Sequence, residues 1–278
     1  MHGHETDPVT GAGVAVTLSR TEAHIWYTSP DEVSDAGLID SCQSLLSAEE
    51  RERHRRLVRP RNRHEYLVAH ALVRTSLSRY ADVHPRDWVF RTNENGRPEI
   101  QSPRLDSPIR FNLSHTDGLV ACICAVDREV GVDVEDIERS IAAEEIAASS
   151  FSPEEVCSLR SLPETLRSRR FFEIWTLKEA YIKARGMGLS LPLERFSVRI
   201  EAAGVITVSS DPALGDSAEG WQLLTTRPTA KHQLAAAIRR SEGVDLEVMV
   251  RQTVPMLDRR PPNSLPGGSS SGAREARS

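Results

Sequence analysis

Phe171-Phe172-Glu173-Ile174-Trp175-Thr176-Leu177-Lys178-Glu179-Ala180-Tyr181-Ile182-Lys183 is the stretch from which the rest of the 278-residue chain is read. At about 100° per residue, Trp175, Glu179, Phe172 and Lys183 fall within about 80° of one another on one helical face. A Glu-Lys pair at i,i+4 on a solvated helix contributes only about 0.2–0.5 kcal/mol. Flanked by two aromatic rings, Glu179 and Lys183 are at least partly dry, which favours a perturbed, functional pair over surface decoration. Lysine usage argues the same way. Of 35 basic residues 32 are Arg, and the lysines are Lys178, Lys183 and Lys231. A compact ammonium that meets a phosphate or donates a proton is something Arg does not replace. The helix is expected over about 169–185, stopped by Gly186 and Gly188.

Upstream, Gly131-Val132-Asp133-Val134-Glu135 alternates like a strand, with the valines entering the core and both carboxylates on the other face. Two hard oxygen ligands on one face suit Mg²⁺, which takes one or two carboxylates together with phosphate oxygens and water. For an isolated D-x-E a solvated acidic face is the commoner explanation, and the helix carrying Glu179 and Lys183 shifts that balance. Ile109-Arg110-Phe111-Asn112-Leu113 reads as a strand entering Ser114-His115-Thr116-Asp117-Gly118. A His after Ser in such a place fits a hydrolase fragment, a phosphate contact or a satisfied turn histidine. No G-x-S-x-G elbow accompanies it, so hydrolysis by a nucleophilic Ser has little support. Gly96-Arg97-Pro98 puts a guanidinium on a tight turn. With the basic run 51–63 it suggests an anion site, against nucleic-acid binding or a solvated charged face.

The net charge of −5 conceals a segregation. Residues 51–63 hold seven Arg and one Glu, whereas residues 127–155 hold ten acids and two Arg. No apolar run reaches the length of a membrane span, and the start MHGHETDPVTGAG lacks the layout of a secretory signal, so the cytoplasm is the expected compartment. The four cysteines, Cys42, Cys122, Cys124 and Cys157, match neither a disulfide framework nor a CxxC pair and read as small buried thiols.

Residues 1–20 read as a loose leader and 253–278, rich in Pro, Gly, Ser and Arg, as a disordered tail. Between them 47–80 reads as helical, capped at Ser47 with Glu50 three residues on and broken at Pro60. Strands are expected at 24–27, 109–113, 119–126 and 130–134. A second helical region at 141–162 precedes the Glu179 helix, and strands at 196–200, 205–209, 220–225 and 232–238 follow. The order repeats, giving an α+β chain of two similar lobes, 21–128 and 129–252, as an internal pseudo-repeat and a monomer with its ligand cleft between the lobes.

FNLSHT (111–116), GVDVE (131–135) and FFEIWTLKEAYIKARGMGLSLPLERFSV (171–198), with SAEERERHRR, AHALVR and NGRP before them, together resemble the 4'-phosphopantetheinyl transferases, the two-lobed surfactin type above all. The resemblance covers roughly 23–250. It implies two α+β lobes related by a pseudo-twofold, each a small antiparallel sheet packed by helices. It also implies transfer of the phosphopantetheine arm of coenzyme A to a serine of an apo acyl or peptidyl carrier protein, in fatty-acid, polyketide or nonribosomal-peptide synthesis, releasing adenosine 3',5'-bisphosphate. On that resemblance Asp133, Glu135 and Glu179 hold Mg²⁺ (or Mn²⁺), and Lys183 meets the pyrophosphate. The base is Glu179, Glu155 or its neighbour Glu154. Arg53, Arg63, Arg97, Asn112, Ser114 and His115 bind coenzyme A. Arg53 replaces a Lys familiar in the family, and Glu50 stands where a second Lys often sits. Two rival readings are a metal-dependent nuclease and a module that binds coenzyme A or a carrier without transfer. The first lacks a basic groove beside the carboxylates, and the second predicts loss of Asp133, Glu179 or Lys183, all of which are present. Neither nucleic acid nor membrane is an expected partner.

Overall fold

The computed structural model describes residues 17–187, 191–201, 204–210 and 217–257. The expected tail beyond 257, the leader up to 16 and Gly188 lie outside the described residues. The chain begins with β1 (Glu22–Thr28), α1 (Ala36–Leu45), α2 (Ala48–Arg56) and α3 (Pro60–Leu77). A hairpin of β2 (Val89–Thr92) and β3 (Pro98–Ser102) follows, then a hairpin of β4 (Ile109–Thr116) and β5 (Leu119–Val126). The same order then recurs: β6 (Val130–Asp136), α4 (Ala143–Ser150), α5 (Pro153–Arg160) and α6 (Glu164–Arg185). After them come hairpins β7 (Phe196–Ile200) with β8 (Ile206–Ser210) and β9 (Trp221–Thr229) with β10 (His232–Arg239). In each half the opening strand lies against the second strand of the last hairpin, as β1-β5-β4 and β6-β10-β9.

Local chemistry sets the boundaries. Ser47 caps α2 and Glu50 closes a capping box on it, satisfying N–H groups that the helix itself leaves open. Pro60 at the first turn of α3 separates α3 from α2. Ser152 and Glu155 form a second capping box ahead of α5, and α6 ends where Gly186 takes a left-handed φ of 63°.

All eight residues of β5 are buried, so its unbroken apolar run serves two cores at once. Val120, Cys122 and Cys124 pack with Leu67, Leu72 and other residues of α1 and α3. The alternate residues Leu119, Ala121, Ile123 and Ala125 face Val130, Val132 and Val134 of β6 and Leu234 and Ala236 of β10. On the far side of β10, Ala235 and Ala237 meet Leu177, Ala180 and Tyr181 of α6. The layers therefore run helix, sheet, sheet, helix, with the two sheets sharing a dry centre. Each fully buried Val, Leu or Ile there contributes about 1.5–3 kcal/mol.

Two expectations change. A last strand, β11 (Glu247–Gln252), falls in the stretch assigned to the second lobe but pairs in parallel with β1, from Glu22 opposite Glu247 to Tyr27 opposite Gln252. Cys157 is exposed, while Cys42, Cys122 and Cys124 are buried as read. No described helix is long and apolar enough to cross a membrane.

Candidate active site between the lobes

The edge strands β4 and β6 lie side by side where the lobes meet, and β4 satisfies β6 with side chains instead of backbone. Asn112 Oδ1 accepts from the Val132 N–H (3.0 Å), Ser114 Oγ from Val134 (3.4 Å) and Thr116 Oγ1 from Asp136 (3.3 Å). Every second residue of one strand meets every second residue of the other, which pins the register and covers an otherwise open edge.

That register aims Asp133 and Glu135 away from the shared core and toward α6. Gly131 makes the approach possible: a Cβ there would lie 2.0 Å from the Ala180 carbonyl oxygen and 2.4 Å from the Ala184 nitrogen. Asp133 is 5% exposed. Its Oδ1 accepts from Lys183 Nζ at 2.6 Å and from Ser114 Oγ at 2.9 Å, and Lys183 Nζ also donates to Ser114 Oγ at 2.8 Å. Asp133 Oδ2 is buried with no hydrogen-bond partner among the described residues. An orphaned carboxylate oxygen in such a place is costly unless something cationic completes it.

Two further carboxylates feel that charge. Burial, then the charge of Asp133, pushes the Glu179 carboxyl up, with Lys183 opposing. Burial and Asp133 likewise raise Glu135, with Arg139, the Trp175 N–H and Lys183 opposing. Glu135 is oriented by Trp175, whose Nε1 donates to its Oε1 at 3.1 Å. Trp175 is in turn held in a stack in which Phe171 lies 5.7 Å from Trp175 and 5.3 Å from Phe151. Among the described residues no three His, Cys, Asp or Glu side chains form a ready-made metal centre. Lys183 is the cation beside Asp133. The donor set nonetheless fits a hard divalent ion, since Asp133 Oδ2 has no partner among the described residues, and burial together with the charge of Asp133 destabilises the charged forms of Glu135 and Glu179.

The other expected residues divide. His115 stands at the end of β4 with its side chain open to solvent on one side; partial desolvation by its neighbours lowers its pKa, with Lys183 and His70 assisting and Glu65 and Asp133 opposing. Arg53 is exposed on α2. Arg63 is committed elsewhere, donating from Nε and Nη2 to the Leu57 carbonyl at 3.1 and 2.9 Å and so closing the end of α2. Arg97 donates to the carbonyls of Ala184 (2.8 Å) and Val130 (3.1 Å). A cavity of about 260 Å³ between β3 and the start of β4 is lined by Pro98, Ile100, Leu105 and Phe111, and Arg97 alone of the expected site residues borders it.

Glu155 does not join the cluster. It is 2% exposed, and its oxygens accept from Lys178 Nζ (2.6 Å), the Val198 N–H (2.7 Å) and the Ser152 N–H (2.9 Å). Lys178 also donates to the Phe196 carbonyl at 2.6 Å. The pair bolts α5 and β7 to α6 and engages both oxygens of Glu155. Glu154 is exposed and ion-paired with Arg199. Glu50, where the family often carries Lys, accepts from Arg74 (2.7 Å) and His70 (3.0 Å). Burial works to raise its pKa, but His70, the Ser47 N–H and Arg74 outweigh it and hold Glu50 at about 2. Sequence reading missed these two hubs and the bond from Trp175 to Glu135. The matching alternation of 112, 114, 116 against 132, 134, 136 was a signal for the junction itself.

Comparison with known proteins covers both lobes. Residues 129–238 match the 4'-phosphopantetheinyl transferase superfamily and 33–127 the N-terminal part of 4'-phosphopantetheinyl transferase. The 4'-phosphopantetheinyl transferase HetI of Nostoc is 29% identical over 80% of this chain and 90% of its own length. A 4'-phosphopantetheinyl transferase of Bacillus subtilis is 34% identical over 64% of this chain and 77% of its own, and Sfp of the same species is 36% identical over 59% and 71%. Matched lobe by lobe and in chain order, the protein belongs to the 4'-phosphopantetheinyl transferases of the Sfp type and is an enzyme of that family.

Proposed function

We propose that the protein moves the phosphopantetheine arm of coenzyme A onto a serine hydroxyl of an apo acyl or peptidyl carrier protein, with Mg²⁺, and releases adenosine 3',5'-bisphosphate. The observation that carries this reading is the node at the lobe junction, where Lys183, Ser114 and Asp133 share short hydrogen bonds and Asp133 Oδ2 has no partner among the described residues.

In the transfer the serine oxygen bonds to the β-phosphorus and the bond from that phosphorus to the adenosine-side oxygen breaks. The serine proton goes to a base, for which Glu179, beside Asp133 and Lys183, is the candidate at the junction, since both Glu155 oxygens already accept hydrogen bonds. Lys183, with its side chain 29% exposed, reaches the cleft and neutralises charge on the leaving pyrophosphate oxygens. His115 and Arg53 are left to hold the phosphates on the first-lobe side. Asp133, Glu135 and Glu179 would hold the metal, which supplies Lewis-acid stabilisation of phosphoryl charge when bound. Ser114 keeps Asp133 and Lys183 in register.

Mixing the protein with apo carrier, Mg²⁺ and coenzyme A should add the phosphopantetheine mass to the carrier, read by intact mass spectrometry. No gain on fatty-acid, polyketide or peptidyl carriers would sink the reading.

A further inference from the structure

The turn Asn93-Glu94-Asn95-Gly96-Arg97-Pro98 joins β2 to β3 in the first lobe. It is internally fixed: Asn93 Oδ1 accepts from the N–H groups of Asn95 (3.0 Å) and Arg97 (2.9 Å), and Gly96 has a φ of 83°. Three of its side chains then cross to the second lobe. Asn95 Nδ2 donates to the Gly186 carbonyl at 3.0 Å, Asn93 Nδ2 reaches the same oxygen at 3.4 Å, and Arg97 Nη1 donates to the Ala184 carbonyl at 2.8 Å. A helix leaves its last carbonyls unpaired and favours a cation there. The end of α6 is therefore completed from the other lobe. Gly186 fits this twice over, by its left-handed backbone and because a Cβ would sit 3.3 Å from Arg97 Cδ and Nη1.

The second bond of Arg97 gives the contact its meaning. Nη2 donates to the carbonyl of Val130 at 3.1 Å, at the start of the strand that carries Asp133, while Ala184 immediately follows Lys183. One guanidinium thus ties the backbone bearing Lys183 to the backbone bearing Asp133. We propose that the 93–98 turn is an inter-lobe clamp that sets the spacing of Lys183 and Asp133, with Arg97 a positioning residue and not a ligand of the coenzyme A 3'-phosphate. Nη1 and Nη2 of Arg97 are each engaged on a carbonyl, and its Nε is buried without a partner among the described residues, so the guanidinium is held in place by backbone oxygens of the second lobe.

The kinetic arm of the test rests on the transferase reading, and the exchange arm does not. Arg97→Ala, Arg97→Lys and Asn95→Ala would be assayed with coenzyme A and with 3'-dephospho-coenzyme A, their melting temperatures checked. Arg97→Ala should lower kcat by about tenfold or more, because misplacement of a reacting group is costly. The loss should be by the same factor for both donors, with the ratio of their KM values unchanged. Asn95→Ala should shift kcat in the same direction by less, and Arg97→Lys should recover part of the loss. Backbone amide exchange over residues 180–187, measured on the protein alone, should quicken in Arg97→Ala and Asn95→Ala. A KM increase confined to coenzyme A, sparing the dephospho form, would make Arg97 a phosphate ligand and overturn the clamp. Unchanged exchange at 180–187 would overturn it too. If the wild-type protein modifies no carrier, the transferase reading falls while the exchange result still decides the clamp.

Discussion

Lys183 and Lys178 lie on the same helix and do opposite work. Lys178 is fully buried and paired with a buried Glu155, whereas Lys183 keeps 29% of its side chain exposed. Lys183→Ala should reduce turnover by about 10²-fold or more with little change in melting temperature. Lys178→Ala leaves Glu155 as an uncompensated buried charge and should cost about 3–5 kcal/mol, seen as a lower urea midpoint. Equal losses of stability in the two variants would contradict the division. Glu50 carries a pH signature. Its folded pKa of about 2 lies below the ordinary 4.5, so its contribution is complete above pH 4.5 and is lost as the pH falls through about 2. At neutral pH that amounts to about 3 kcal/mol, so Glu50→Gln should lower stability at pH 7 and flatten acid unfolding between those limits. A variant that melts in parallel with wild type across the whole range would show that Glu50 is not the acid-sensitive hub. Scarcity of Lys in the sequence flagged both lysines, but which of them was buried depended on Phe196 and Glu155, 18 and 23 residues away.

At the scale of elements, the site exists because β6 touches α6 without a side chain between them. Gly131→Ala places a methyl against the backbone of α6, where the neighbouring atoms cannot rotate away. Overpacking of this kind costs about 1–3 kcal/mol or more. The variant should lose transfer activity even where it remains folded by circular dichroism, since Asp133 is pushed off Lys183. Retained activity would mean that α6 can shift without loss of the node. The elements of the site were legible: strict alternation marked β4 and β6, the apolar run marked β5, and the helical stripe with its glycine stop marked α6. The carboxylate pair and Lys183 followed from those periods. What stayed hidden was the commitment of Arg63, Arg97 and Glu155. Each binds backbone groups, which every residue has, so no sequence pattern distinguishes a guanidinium bound to a carbonyl from one waiting for a phosphate.

Across the whole molecule the last strand adds a further tie between the lobes, and a charge asymmetry sets how they meet partners. β11 returns from the second lobe to pair with β1, and beyond it the Thr253 N–H donates to the Tyr27 carbonyl at 2.9 Å. The basic run survives folding as an exposed surface: Arg51, Arg53, Arg55, Arg56, Arg59 and Arg61 all face solvent on α2, the α2–α3 corner and the start of α3. Arg61 also pairs with Asp117, two residues beyond His115, which sets this surface beside the end of β4. Carrier proteins are acidic, so under the proposed transfer these charges act on encounter more than on the bound complex. The double variant Arg51→Glu/Arg59→Glu leaves the residues assigned to coenzyme A in place. It should raise KM for the carrier by about tenfold at low salt while KM for coenzyme A stays as in wild type. The difference from wild type should shrink as ionic strength rises and the Debye length falls to about 8 Å. A carrier KM indifferent to both charge reversal and salt would place docking elsewhere on the molecule.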